Sequence, residues 1–298
     1  MDPESWRAAG RHLTIAGRRL FLMDSDPDGE RQRTILLIHG FPTAGWDFSA
    51  IFSGLEREFR LVIPDMLGFG FSEKPKRHDY SIHEQADLLE GMIDALSLER
   101  FHVLAHDYGD TVAQELLARE NERAPAARHW LSLCLLNGGL FPETHHARLS
   151  QKLLHGPLGG IVARLMNRGT LERNLRAVFG PDTPPSPEDM EAFWTLVTHE
   201  GGNTITHRLI RYIHDRRVHR ERWVRALREA SIPIQLINGS LDPVSGAHMV
   251  ERYREVVGTT DIVELPRIGH YPQVEAPEEV VRHYRAFLEA HFPAGDNA

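Results

Sequence analysis

Asp107 stands at the centre of Ala105-His106-Asp107-Tyr108-Gly109, a pentapeptide of the form small-x-nucleophile-x-small. It closes the apolar run Phe101–Ala105, which reads as a buried strand, and Thr111–Arg119 behind it reads as a helix. A sharp turn from strand to helix lifts its central side chain clear of the backbone, and small residues flank it because larger ones collide with the neighbouring chain. The central residue decides the chemistry. A Ser here attacks an acyl carbon and leaves an ester that water cleaves. At a saturated carbon it would leave an ether, a dead end. A carboxylate attacking saturated carbon leaves an alkyl ester, open to water at the carboxylate's own carbonyl. Asp107 therefore points to epoxide or carbon–halogen chemistry ahead of ordinary ester cleavage. Taken alone, an Asp before a helix also reads as an N-cap, so the companions of the pentapeptide decide.

His39-Gly40-Phe41-Pro42 follows a second apolar run, Thr34–His39. The backbone N–H groups of Phe41 and of Tyr108 are expected to form an oxyanion hole for the oxygen that turns negative when water attacks the Asp107 ester. By itself Gly-Phe-Pro reads equally as a turn. Asn238-Gly239-Ser240-Leu241-Asp242-Pro243-Val244 follows another expected strand and carries an acid, and Ile268-Gly269-His270-Tyr271-Pro272 follows the last one. The order Asp107, Asp242, His270 is that of nucleophile, acid and base in enzymes with such an elbow. His270 would activate the hydrolytic water, with Asp242 holding its tautomer and stabilising the imidazolium. Position singles out His270 among the 18 histidines.

The elements that must hold these residues alternate. Short apolar runs at Arg18–Met23, Thr34–His39, Leu61–Pro64, Phe101–Ala105, Leu131–Asn137, Ile234–Asn238 and Asp261–Leu265 read as strands. Ile82–Leu96, Thr111–Arg119 and Pro277–His291 read as helices, the last with Pro277 in its first turn. This is the pattern of a parallel sheet covered by helices, an α/β fold. The rhythm breaks from Gly138 to Ser231, where Leu149–Leu154, Ile161–Met166, Met190–Val197 and Asn203–Asp215 read as helices around the Pro-rich loop 180–187. The expected division is a core of residues 1–137 and 232–298 with a helical cap inserted at 138–231.

Hydrophobic residues make up 41% of the 298 and charged residues 26%, ordinary for a soluble globular chain. A net charge of −8 without a basic block argues against nucleic acid or an anionic membrane as partner. The single cysteine, Cys134, excludes an intramolecular disulfide and fits a cytoplasmic location; its apolar neighbours make it a core residue. The N-terminus lacks the pattern of a signal peptide, and no apolar stretch reaches the roughly 18 residues that span a bilayer. His145-His146 has no spaced partners for a metal and reads as surface loop. No metal or organic cofactor is implied.

With these residues assembled, the chain resembles the α/β-hydrolase superfamily in its Asp-nucleophile branch, which includes epoxide hydrolases, haloalkane dehalogenases and haloacetate dehalogenases. Within it, the chain is similar to the mesoderm-specific transcript protein group. The resemblance rests on His39-Gly40-Phe41-Pro42-Thr43, Leu67-Gly68-Phe69-Gly70-Phe71-Ser72-Glu73-Lys74-Pro75, His106-Asp107-Tyr108-Gly109-Asp110, Leu136-Asn137-Gly138-Gly139-Leu140-Phe141-Pro142 and His270-Tyr271-Pro272-Gln273. It implies an eight-stranded, mostly parallel sheet, a helical cap, and a site between the two that takes a small apolar organic substrate with water. Haloalkane dehalogenases hold the halide with a Trp after the nucleophile and an Asn or cap Trp; Tyr108 and Phe41 stand in the first two places here, leaving Trp194 and Trp223. Epoxide hydrolases polarise the ring oxygen with cap donors, commonly Tyr. Tyr212 is the one Tyr between residues 138 and 231 and the candidate acid; His199 or His207 would have to supply a second donor. Epoxide hydrolysis is the leading expectation, with dehalogenation, ester or lactone hydrolysis, or small-molecule binding without turnover as alternatives.

Overall fold

Strands that are apolar on both faces must be covered on both faces, which places them in the middle of a parallel sheet. In the computed structural model, which describes residues 1–293, eight strands form one sheet: β1 (Arg11–Ile15), β2 (Arg18–Asp24), β3 (Thr34–Ile38), β4 (Arg60–Pro64), β5 (Phe101–His106), β6 (Trp130–Leu136), β7 (Ile234–Gly239) and β8 (Ile262–Leu265). Their order is β1-β2-β4-β3-β5-β6-β7-β8. β1 and β2 pair antiparallel, as do β2 and β4, and every other pair is parallel. All residues of β3, β4 and β5 are buried, as their composition requires. The chain leaves β3 for β4 on one side and then crosses to β5 on the other. The ends of β3 and β5 thus flank the point where connections diverge, and in open α/β sheets the crevice for a ligand lies there.

Seven strands lie within a residue or two of the sequence reading; β1 was missed. Arg11-His12-Leu13-Thr14-Ile15 is a mostly exposed edge strand, so it carries no apolar signal. It is held by the β1–β2 hairpin, whose Ala16 and Gly17 both have positive φ, as a tight I′-type turn requires.

Among the described residues, the segment between β6 and β7 contains helices and no strand. Two of these helices, Arg168–Arg176 and Arg220–Arg228, escaped the sequence reading because arginines dominate them; each still buries a stripe, Leu171 and Leu175 in one and Trp223, Val224 and Leu227 in the other. The expected single helix Asn203–Asp215 is three pieces: a 3₁₀ stretch His199–Ile205, then Thr206–Leu209 and Tyr212–Val218. Glu200 and Gly201 have φ of 50° and 76°, which no helix accommodates. No helix among the described residues is long and apolar enough to cross a membrane.

Candidate active site

The helix Tyr108–Glu122 begins three residues earlier than its periodicity predicts, directly after Asp107, so no loop separates strand β5 from helix. The turn is made by Asp107 itself, at φ 48° and ψ −103°, a strained conformation for a residue with a side chain. The tightness also explains Gly109: a Cβ there would stand 2.2 Å from the carbonyl oxygen of Ile38 in β3. His106 is fully buried, and burial drives its pKa down to about 3. The neutral ring donates from Nε2 to the His270 carbonyl at 2.8 Å, tying the Asp107 turn to the loop after β8.

Asp107, Asp242 and His270 meet at one edge of the sheet because each follows the C-terminal end of a parallel strand. The Asp107 Oδ2 accepts the Phe41 N–H at 3.1 Å and lies 3.9 Å from His270 Nε2. His270 Nδ1 donates to Asp242 Oδ2 at 2.7 Å. Asp242 also accepts the backbone N–H groups of Val244 at 2.8 Å and Ser245 at 3.1 Å, so its orientation is fixed independently of the imidazole. Burial alone would raise both carboxyls; the charge and hydrogen bond of His270 outweigh it and hold both below the usual carboxylate range. His270 is the mirror case: burial disfavours its charged form, yet Asp242 and Asp107 raise it well above an ordinary histidine. Among the described residues, Phe41 is the one backbone donor on the Asp107 carboxylate; the Tyr108 N–H is the first of its helix and makes no hydrogen bond to it.

Three groups at this edge went unrecognised in the sequence. Arg216, on the helix Tyr212–Val218, is only 2% exposed. Its Nε donates to Thr111 Oγ1 at 2.7 Å, and its Nη2 donates to the Asp107 carbonyl at 3.1 Å and lies 3.6 Å from Asp107 Oδ1. Gly139 makes room for it, since a Cβ there would fall 2.2 Å from Nη1. The signal was present: Arg216 shares a helix face with the buried Tyr212 and Ile213, and a basic residue on an apolar stripe needs a buried partner. Asn137 donates from Nδ2 to Asp242 Oδ2 at 3.1 Å and accepts the Gly239 N–H at 2.7 Å, bracing the acid from the end of β6. Asp110 is fully buried, and both its side-chain oxygens are without a hydrogen-bond partner; burial pushes its carboxyl well above the usual range.

A cavity of about 90 Å³ opens beside Asp107 and His270. Leu154, Met166, Leu171, Leu175 and Val178 from the segment between β6 and β7 make most of its wall, and Arg148, Gln151 and Asn174 supply polar edges. Tyr212 is 2% exposed and outside this lining; its ring packs on Tyr108 at 4.7 Å and under the Arg216 guanidinium at 4.5 Å. Neither Trp194 nor Trp223 lines the cavity, and the Trp223 indole N–H is taken by Glu115 at 2.8 Å. His199 packs against Phe71, away from the cavity wall, and His207 is likewise outside the lining. The His145-His146 pair divides. His146 is exposed and stacks on His248, whereas His145 turns inward with both ring nitrogens buried and unpartnered, contrary to the surface reading, because the loop after β6 folds back over the site. Among the described residues, no group of three His, Cys, Asp or Glu side chains is placed to hold a metal.

Comparison with known proteins agrees with this architecture. The model of the alpha/beta hydrolase fold family matches residues 33–277. The chain is 43% identical to the mesoderm-specific transcript homolog protein of Bos taurus, covering 96% of this chain and 88% of that protein. It is 39% identical to the putative hydrolase LipZ of Mycobacterium tuberculosis, over 92% of this chain and 93% of the relative. Among solved structures, the haloalkane dehalogenase DbeA-M1 loop variant from Bradyrhizobium elkanii superposes with a TM-score of 0.79 at 21% identity, over 95% of this chain and 96% of that one.

Proposed function

The chain belongs to the alpha/beta hydrolase fold family, and on that basis we propose that it hydrolyses small apolar substrates, foremost epoxides, through a covalent ester on Asp107. The observation that carries this reading is the division of labour between the two oxygens of that carboxylate. Oδ2 is held by the Phe41 N–H, while Oδ1 has no backbone donor and is free to attack. The segment 138–231 acts as the cap, and its apolar wall selects substrates without charge.

In the first half-reaction Oδ1 attacks a ring carbon, the carbon–oxygen bond breaks, and the ring oxygen takes a proton from the Tyr212 hydroxyl, a step that requires the ring to turn from its packing on Tyr108 toward the cavity. Burial pushes that hydroxyl well above an ordinary tyrosine, so it keeps its proton until the alkoxide forms. Alkylation removes the negative charge of Asp107, one of the groups that keep His270 protonated. The imidazolium then gives its proton to the Tyr212 phenolate left by ring opening, so His270 becomes a base only once there is an ester to hydrolyse. Water then gives a proton to His270 and attacks Cγ. The oxyanion forms on Oδ2, facing the Phe41 and Tyr108 N–H groups. The Cγ–Oδ1 bond breaks, His270 returns its proton to the departing alkoxide, and the diol leaves with Oδ1. The proton released as the new Asp107 carboxyl ionises returns to His270 and restores the resting imidazolium. Arg216, beside Oδ1, stabilises the departing oxygen.

A His270→Ala variant tests the reading, because it should form the ester but hydrolyse it at least about a hundredfold more slowly. Intact mass after exposure to a panel of small epoxides and haloalkanes is expected to rise by one whole epoxide, mapped to the Asp107 peptide. A gain of an alkyl group without halogen would transfer the assignment to carbon–halogen chemistry, and no adduct with any member would overturn it. Tyr212→Phe is expected to slow ring opening by about tenfold or more. An effect below about threefold in single-turnover adduct formation would remove Tyr212 from the mechanism.

A further inference from the structure

Large apolar side chains are normally sparse and scattered on a protein surface, so a cluster of them has a use. Leu149, Leu153, Leu158, Ile161 and Leu165, within 17 residues of chain, are each between 50% and 72% exposed. They form two stripes. Leu149 and Leu153 are four apart on the helix Leu149–His155, and Leu158, Ile161 and Leu165 run at spacings of three and four along and beside the helix Gly159–Arg164. The two helices pack on each other, which sets the two exposed stripes on neighbouring helices.

Charge says what covers that surface. The chain as a whole is acidic at −8, yet residues 144–171 contain no Asp or Glu and carry Arg148, Lys152, Arg164 and Arg168. Lys152 and Arg164 are exposed and form no ion pair among the described residues. Net charge, which argued against an anionic membrane, thus averages over a surface on which this apolar patch is locally basic. Helices with an apolar face bordered by Lys and Arg lie in the plane of a bilayer, the apolar side among the acyl chains and the cations among anionic headgroups. The opposite side of the first of these helices faces the cavity: Gln151 and Leu154 line it while Leu149 and Leu153 look outward. We infer that this helix pair docks the protein on an anionic bilayer surface, placing the roof of the apolar cavity against the phase in which apolar substrates concentrate.

Sedimentation with vesicles tests this without any substrate. The native protein is expected to sediment with phosphatidylcholine vesicles containing phosphatidylglycerol, and about tenfold more weakly with phosphatidylcholine alone. A Leu149→Ser/Leu153→Ser/Leu165→Ser variant should lose at least about tenfold in binding, while its thermal midpoint stays that of the native chain because the altered side chains are exposed. A Lys152→Glu/Arg164→Glu variant should lose the preference for phosphatidylglycerol. Native protein that stays in the supernatant with both vesicle types would overturn the inference. So would a triple variant that sediments like the native chain. A native dimer that the triple variant converts to monomer would assign the face to a second copy instead.

Discussion

Replacing Asp107 by Asn is expected to lower turnover by at least about a thousandfold, because an amide cannot supply the attacking oxygen and the remaining groups act only on an ester that never forms. The same substitution is expected to destabilise the fold. Arg216 is buried beside Oδ1, 3.6 Å away, and loses its one anionic neighbour. It keeps its bonds to Thr111 Oγ1 and the Asp107 carbonyl, so the loss should fall short of a fully broken buried pair, at about 1–3 kcal/mol. Asn tolerates positive φ as readily as Asp, so relief of backbone strain does not offset this. The pH dependence follows from the sign of the shift. The Asp107 carboxyl is held below its unfolded value, so its contribution is complete above that value and is lost as pH falls toward the folded one. The gap in thermal midpoint between native and Asp107→Asn should therefore be constant above about pH 5 and close below about pH 4. Activity near the native level, with mass spectrometry excluding deamidation back to Asp, would refute the nucleophile; a gap that widens in acid would refute the pairing with Arg216.

Arg216→Gln should shift the slow step of the reaction. The guanidinium lies 3.6 Å from Oδ1, the oxygen that in the proposed reaction attacks in the first half-reaction and departs in the second. In the first it holds Oδ1 in its charged ground state and restrains attack. In the second it stabilises the departing alkoxide, as a fixed donor does for a developing negative charge. Removing it is expected to leave alkylation unchanged or faster and to slow ester hydrolysis by about a hundredfold. Ester then accumulates, so kcat and KM fall together while kcat/KM, which reports only the steps through alkylation, holds nearly constant. A merely structural Arg216 would give a different pattern, a drop in kcat/KM without ester in the mass spectrum. Arg216→Lys retains the charge without the planar fork and should recover part of the hydrolysis rate.

Much of the framework was legible in the chain. The parallel strands announce themselves because burial on both faces demands unbroken aliphatic runs, and the motif residues follow those runs directly. Asp107, Asp242 and His270 could therefore be assigned to one edge of the sheet without coordinates. The misses share a cause. The edge strand Arg11–Ile15 and the helices Arg168–Arg176 and Arg220–Arg228 bury only a narrow stripe, so their periodicity drowns in charge. Asn137 reads as the end of a strand, and only the neighbouring β7 turns it into a brace for Asp242.

What the amino-acid order determined alone was the sheet, the identity of the residues at its C-terminal edge, and the chemical difference between Asp and Ser at the elbow, because each depends on local burial pattern or on a single functional group. What only the tertiary structure decided was the environment of that carboxylate: Phe41 on one oxygen, Arg216 on the other, Tyr212 packed beneath the guanidinium rather than lining the cavity, and a roof segment that exposes leucines beside Lys152 and Arg164. Those relations join residues up to about a hundred positions or more apart through helices whose packing angles are set by side-chain fit, and no local pattern encodes such distances.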